Sequence, residues 1–166
     1  MQHSEIRTLH TGKIEINQIS KKARVIESSV KNIAELVLKS SNARWKEIIF
    51  VFVDNPFIRK INREFLKRDE PTDVISFNYS ESDGENSGLL EGEVYISLEQ
   101  AAVNAKHYRE SYESEVRRLI IHAILHLLGY TDYEPSKQKF MRESENFFLK
   151  KAQNLPGVIE GETPRS

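Results

Sequence analysis

The chain has 166 residues, of which 39% are hydrophobic and 30% charged, with a formal net charge of −1 at neutral pH; this suits one domain around a single core and excludes global basicity as a handle on nucleic acid, so an RNA or DNA partner would need a local basic patch. There are no cysteines, which excludes disulfides, thiolate metal ligands, a cysteine nucleophile and iron–sulfur clusters. No run approaches the roughly 20 apolar residues of a membrane-spanning helix, and the N-terminus lacks the basic start and apolar stretch of a secretory signal, so a cytoplasmic protein with no membrane partner is expected.

Residues 4–16 alternate loosely, with Ile6, Leu9, Ile14 and Ile16 around Gly12, and predict an early strand. Ser20 has the chemistry of an N-cap. Behind it Ala23, Ile26, Val30, Ile33, Ala34, Val37 and Leu38 recur at spacings of three and four, which predicts a long helix ending near Ser40 and packed on a sheet. The run at 48–53, Ile-Ile-Phe-Val-Phe-Val, is too short for a helix and rich in β-branched and aromatic residues. It reads as a strand buried on both faces at the centre of the sheet. Asn55-Pro56 is a helix start, with a capping side chain followed by a proline whose missing N–H costs nothing there. The helix should cover 57–66, with Phe57, Ile58, Ile61 and Phe65 toward the core and Arg59, Arg63 and Lys67 on another face.

Pro71 should end any helix before Thr72, and 74–77 reads as a strand. The polar, acidic, glycine-containing stretch 80–88 predicts a mobile loop or hairpin connection. Residues 93–97 alternate as a strand, and Ser97 is placed to cap a helix starting near Leu98. From 113 to 128 the sequence is apolar nearly all round a helix, which belongs in the middle of the domain, and Gly129 is a natural C-cap. A last helix over 136–152 would be anchored by Phe140, Phe147, Phe148 and Leu149. Residues 155–166 hold two prolines, two glycines and few apolar side chains, so a single domain over 1–154 and a flexible tail over 155–166 are expected.

The segment His122-Ala123-Ile124-Leu125-His126-Leu127-Leu128-Gly129-Tyr130-Thr131-Asp132 carries the chemistry. Residues four apart share a helix face, so two imidazoles there can hold one ion, and the turn allowed by Gly129 can return Asp132 as a third donor. A lone histidine on a buried helix is most often a hydrogen-bonded core residue. Two within reach of each other repel when protonated and compete for acceptors when neutral, unless something cationic binds both. One transition-metal ion per chain, zinc or a similar divalent ion, is therefore expected on His122, His126 and Asp132, with a fourth position left for water and hydrolysis. His3, His10 and His107 stand alone among polar residues and read as solvated surface. The zinc-protease motif, in which a glutamate base follows the first histidine, is broken by Ala123, which cannot take a proton from water.

These residues resemble the YbeY-type metal-dependent endoribonucleases, also called rRNA maturation factors, whose signature is His, three residues, His, five residues, His, with Leu-Gly-Tyr before the third ligand. His122, His126, Leu128, Gly129 and Tyr130 match it, and Asp132 stands at the third histidine position. Residues 69–77, Asp-Glu-Pro-Thr-Asp-Val-Ile-Ser-Phe, and 90–97, Leu-Glu-Gly-Glu-Val-Tyr-Ile-Ser, look like two further family segments in the right order. The resemblance spans about 48–148. It departs at Leu66, which occupies the place of a family arginine, with Lys67 or Arg68 as substitutes.

The resemblance implies an α+β fold, a single-domain α/β sandwich whose mixed four-stranded sheet is covered by helices around a central metal-bearing helix. It implies zinc-dependent cleavage of single-stranded RNA in maturation of the small-subunit rRNA 3′ end and ribosome quality control, with that rRNA and ribosomal proteins as partners. Asp73 is then a base or hydrogen-bond partner beside the metal, and Arg59, Arg63, Lys67 and Arg68 are candidates to hold the RNA backbone, against the plainer reading of a solvated cationic face. Two other readings stay open: a metal-dependent hydrolase of peptide or another substrate, and a non-catalytic ribosome-assembly binding factor braced by a structural metal.

Overall fold

The structure is a computed structural model and describes residues 11–70 and 72–160. A four-stranded mixed sheet carries the fold, built from β1 (Thr11–Gln18), β3 (Arg44–Val53), β4 (Val74–Asn78) and β5 (Leu89–Ser97) in the order β1-β3-β5-β4. β1 and β5 run parallel to β3 and flank it, while β4 pairs antiparallel with β5 and forms an edge. The expected mixed sheet covered by helices is present. The early strand falls at Thr11–Gln18, and the part of that expectation on residues 4–10, like the helix stop at Pro71, lies outside the described residues.

β3 explains the two layers. Ile48, Phe50 and Phe52 point into the main core, and Val51 and Val53 alternate into a second cluster on the opposite face. Helices α1 (Glu27–Ser40), α3 (Leu98–Tyr108), α4 (Tyr112–Leu127) and α5 (Pro135–Lys151) belong to the first face, and α2 (Asn55–Phe65) covers part of the second. α4 packs against α1, α3, α5, β4 and β5 at once, the place its all-round apolar sequence demands. Among the described residues no helix is long and apolar enough to cross a membrane.

Several boundaries differ from the expectation for a physical reason. Ser20 does not cap α1. Its hydroxyl donates to Asp54 Oδ1 at 2.7 Å and accepts from Lys22 N–H at 3.1 Å. The chain then stays extended through β2 (Arg24–Val25), and the helix begins only at Glu27. On α2 the buried positions are Ile58 and Asn62, while Phe65 is 63% exposed. On α5 they are Met141, Glu145 and Phe148, and the expected anchors Phe140 and Phe147 face outward. The tail expected from residue 155 is packed through Glu160. Val158 is fully buried, and β6 (Ile159–Glu160) pairs antiparallel with β2. Arg117 of α4 donates to the carbonyls of Ala152, Leu155 and Pro156 at 2.8–3.1 Å, and Glu113 accepts the Val158 and Ile159 N–H groups at 2.9 and 3.0 Å. Two charged side chains thus satisfy backbone groups that helix and strand pairing leave over. Residues 161–166 lie outside the described residues.

Gly92 joins the sheet to the helix that carries the histidines. It lies opposite Ile48 of β3 and Asn78 of β4, and a Cβ there would stand 2.8 Å from Leu127 Cδ2 and 2.9 Å from the Phe77 carbonyl oxygen. Because the carbonyl is fixed by strand pairing, Gly92→Ala should cost about 1–3 kcal/mol and lower the Tm by about 2–4 °C per kcal/mol. A thermal melt reads this directly, and an unchanged Tm would mean that Leu127 and the strand move aside freely.

Candidate metal centre

α4 is set at its start by Ser111, whose hydroxyl accepts the Ser114 N–H at 3.0 Å, with Glu113 and Glu115 complementing the N-terminal dipole in the first turn. Four residues apart near its other end, the His122 and His126 rings have centroids 4.5 Å apart and planes at 74°. The helix ends in a Schellman turn: Gly129 N–H donates to the His126 carbonyl and Tyr130 N–H to the Leu125 carbonyl, both at 3.0 Å, with Gly129 at φ 102°. That reversal brings Asp132 back over the helix end, with Oδ2 3.8 Å from His126 Nε2. Candidate donor atoms of His122, His126 and Asp132 all lie within 4.8 Å of one another, the grouping among the described residues that can hold a metal ion. The 3.8 Å separation is less than two metal–ligand bonds of about 2.0–2.2 Å each, so one ion can bridge that pair.

A fourth side chain decides how His122 presents itself. Its Nδ1 lies 2.7 Å from Oε2 of Glu145, a residue 5% exposed on α5, whose other oxygen accepts from Arg118 Nη1 at 3.1 Å. Burial alone would raise the Glu145 carboxyl, but the hydrogen bond and charge of His122, together with Arg118, hold it below the ordinary glutamate value. An ionised carboxylate only accepts, so Nδ1 must carry the hydrogen and Nε2 is the atom left to face a metal. Burial would lower the His122 pKa, yet the hydrogen bond to Glu145 and the charges of Glu145, Asp73 and Asp132 push it up; burial and the neighbouring His122 push His126 down. The donors are nitrogen and oxygen in a cluster of net negative charge, and they fit a divalent transition-metal ion.

Two cavities share His122 as a wall. One, of about 450 Å³, is lined by His122, His126, Leu66, Arg68, Asn78 and Tyr133 among others, and is the groove onto which the imidazoles open. The other, of about 350 Å³, holds Asp73, Asn104, Glu115, Arg142 and Glu145 behind His122. Asp73 lines this second cavity, while its neighbours Thr72 and Val74 line the first. Its Oδ2 accepts from Asn104 Nδ2 at 3.1 Å, an amide 3.4 Å from Oε1 of Glu115, whose pKa burial pushes up.

Of the basic candidates, only Arg68 lines the groove. Its guanidinium makes no ion pair or side-chain hydrogen bond among the described residues. Arg59 Nε donates to Asp69 Oδ1 at 2.9 Å and Arg63 approaches the same oxygen at 3.8 Å, an arrangement that holds the Asp69 carboxyl below its usual range. Lys67 is exposed at φ 56°, where the chain leaves α2. Sequence reasoning missed Glu145, Arg118 and Asn104. One signal was present: Met141, Glu145 and Phe148 recur at helical spacing, so the glutamate lies on the buried face of α5.

The family model described as Endoribonuclease YbeY matches residues 12–153. The chain is 38% identical to Endoribonuclease YbeY of Chlorobium phaeovibrioides over 125 residues, 75% of this chain and 80% of that protein. It is also 38% identical to that of Carboxydothermus hydrogenoformans over 137 residues, 81% of this chain and 94% of the relative. Among solved structures it is similar to the solution structure of TM1509 from Thermotoga maritima, with a TM-score of 0.60 and 27% identity over 83% of this chain and 87% of that one.

Proposed function

The chain belongs to the Endoribonuclease YbeY family, and from that premise we propose that it cleaves single-stranded RNA with one zinc ion, or a similar divalent ion, held by His122, His126 and Asp132. The observation that carries the reading is the convergence of two imidazoles and a carboxylate beside a groove, with Nδ1 of one imidazole already committed to Glu145. When bound, the ion would supply Lewis acidity toward water and toward the charge that builds on a scissile phosphate.

The chain's own residues do the rest. Glu145 holds the His122 ring in the tautomer that leaves Nε2 free. Arg68, on the groove wall and without a side-chain partner among the described residues, binds the RNA backbone, taking up the cationic role that Leu66 cannot fill. Asp73, whose carboxylate accepts from Asn104, acts as the hydrogen-bond partner rather than the base of the two roles expected for it. With Asn104 it supports the strand start that carries Val74 and Ser76 into the groove, and its backbone carbonyl accepts from Ser97 N–H at 2.9 Å. Peptide hydrolysis gains no support, because Ala123 is fully buried where a protease would carry its base.

The assignment to the 3′ end of small-subunit rRNA, with ribosomal proteins as partners in a cytoplasm, rests on the three motif segments alone. The test is a cleavage assay on unpaired RNA carrying that 3′ end and on the same sequence in a duplex, each with chelator and with added zinc. Cleavage of the unpaired strand only, dependent on metal and reduced about tenfold or more in Arg68→Ala, is the expected result. Metal-independent cleavage would overturn the role given to the ion, and no cleavage of either substrate with a full complement of zinc would leave a binding role as the better account.

A further inference from the structure

The face of the sheet opposite α4 carries a feature that the metal groove does not use. Five aromatic rings from α2, β4 with the residue just after it, and β5 form a continuous array there. Phe65 meets Phe77 edge-on at 5.8 Å, Phe77 lies parallel to Tyr79 at 6.4 Å with planes 4° apart, and Phe77 meets Tyr95, which stacks on Phe57. The array is not core. Phe65 is 63% and Tyr79 54% exposed, and the cluster beneath them has only four buried members, Val51, Val53, Ile58 and Ile75. Holding large rings together at a surface forgoes burial, and such patches mark binding sites. The Tyr79 and Tyr95 hydroxyls both donate to Glu93, which anchors these rings by their edges.

We propose that Phe65, Phe77 and Tyr79 form a stacking platform for unpaired bases of an RNA strand where it leaves the metal groove over the β4 edge; this rests on the nuclease reading above and adds a second contact surface to it. Continuity with the groove is the first argument. β4 lines the groove with Val74, Ser76 and Asn78 and presents Phe77 on the reverse face, and Leu66, next to Phe65, is itself a groove wall. A strand crossing this edge passes from the groove that the histidines line to the face that carries Phe77. The second argument is charge. Residues 59–70, which border both surfaces, carry five Lys or Arg against three Asp or Glu in a chain whose net charge is −1, so this segment favours a polyanion. The third is shape. Phe77 at the end of β4 and Tyr79 just beyond it hold their planes parallel, and a parallel pair with one exposed member can extend a stack to bases of any identity.

The test is fluorescence anisotropy with labelled oligouridylates of about 20 and about four nucleotides, the shorter able to fill the groove alone. Chelator is present so that no strand is cut. Wild type should bind both. Phe65→Ala/Tyr79→Ala should lose about tenfold or more in affinity for the long strand while its affinity for the short one changes by less than about twofold, and Phe65→Tyr/Tyr79→Phe, which keeps both rings, should behave as wild type. An alanine variant that binds the long strand as tightly as wild type overturns the platform and leaves the patch to a protein partner. An equal loss at both lengths also overturns it, since the change would then act through the groove. Wild type that binds neither strand refutes the RNA reading itself, and the platform with it.

Discussion

His126→Ala should retain the fold, lose its metal and cleave RNA at least about a thousandfold more slowly than wild type, because the ion supplies several kcal/mol of stabilisation to a developing phosphate charge. His126 is the cleanest ligand to remove. Its side chain is 28% exposed and makes no hydrogen bond to another side chain among the described residues, whereas His122 is tied to buried Glu145 and its loss would strand a carboxylate. Asp132→Ala should lose metal in the same way, since two imidazoles alone leave the site a donor short. Asp132→His should keep it: the substitution exchanges one acceptable zinc donor for another beyond the same Gly129 turn and restores the three-histidine pattern. Metal content by elemental analysis beside initial cleavage rates checks all three variants. Full metal and full activity in His126→Ala would place the ion elsewhere, and a metal-free Asp132→His would show that the shorter carboxylate is required by the turn.

What the sequence disclosed follows the range of the interactions concerned. The β3 run, the Ser97 cap that accepts from Gln100 N–H at 3.1 Å, and the central place of α4 are consequences of neighbours within a few residues, and periodicity or capping chemistry reads those directly. The proximity of His122, His126 and Asp132 belongs to the same class, since a four-residue spacing and one glycine produce it. The misreadings involve partners far along the chain. Ser20 was free to cap a helix until Asp54, 34 residues on, took its hydroxyl. Residues 155–166 as a whole hold few apolar side chains, and nothing local shows that Leu155, Val158 and Ile159 pack on the core or that Arg117, 38 and 39 residues before Leu155 and Pro156, donates to their carbonyls. On α5 two of the four expected anchors, Phe140 and Phe147, face outward, while Phe148 is buried on the face that also carries Glu145, whose partners Arg118 and His122 lie on another helix. Hydrophobic patterning ranks a glutamate as surface and cannot see the charge that draws it inward.

Glu145 therefore provides the second large effect. Glu145→Gln should weaken metal binding about 10- to 100-fold, the usual consequence of removing the acceptor that orients a ligating histidine, with little change in the fold. The glutamine oxygen can still accept from His122 Nδ1–H or from Arg118 but carries no charge, so the imidazole becomes a poorer donor and its ring is less firmly held. Glu145→Ala goes further: Arg118, with a side chain only 17% exposed, loses its carboxylate, and breaking a largely buried pair on one side costs about 3 kcal/mol. The two substitutions separate orientation from folding. Zinc affinity by competition with a chromophoric chelator should fall in both, whereas the Tm of metal-free protein should fall clearly only in Glu145→Ala. Glu145→Asp, shorter by one methylene, should hold the charge but not the 2.7 Å contact, and its affinity should lie between those of wild type and Glu145→Gln. If Glu145→Gln binds zinc as tightly as wild type, His122 needs no partner to present Nε2, and Glu145 serves only to neutralise Arg118 between α4 and α5.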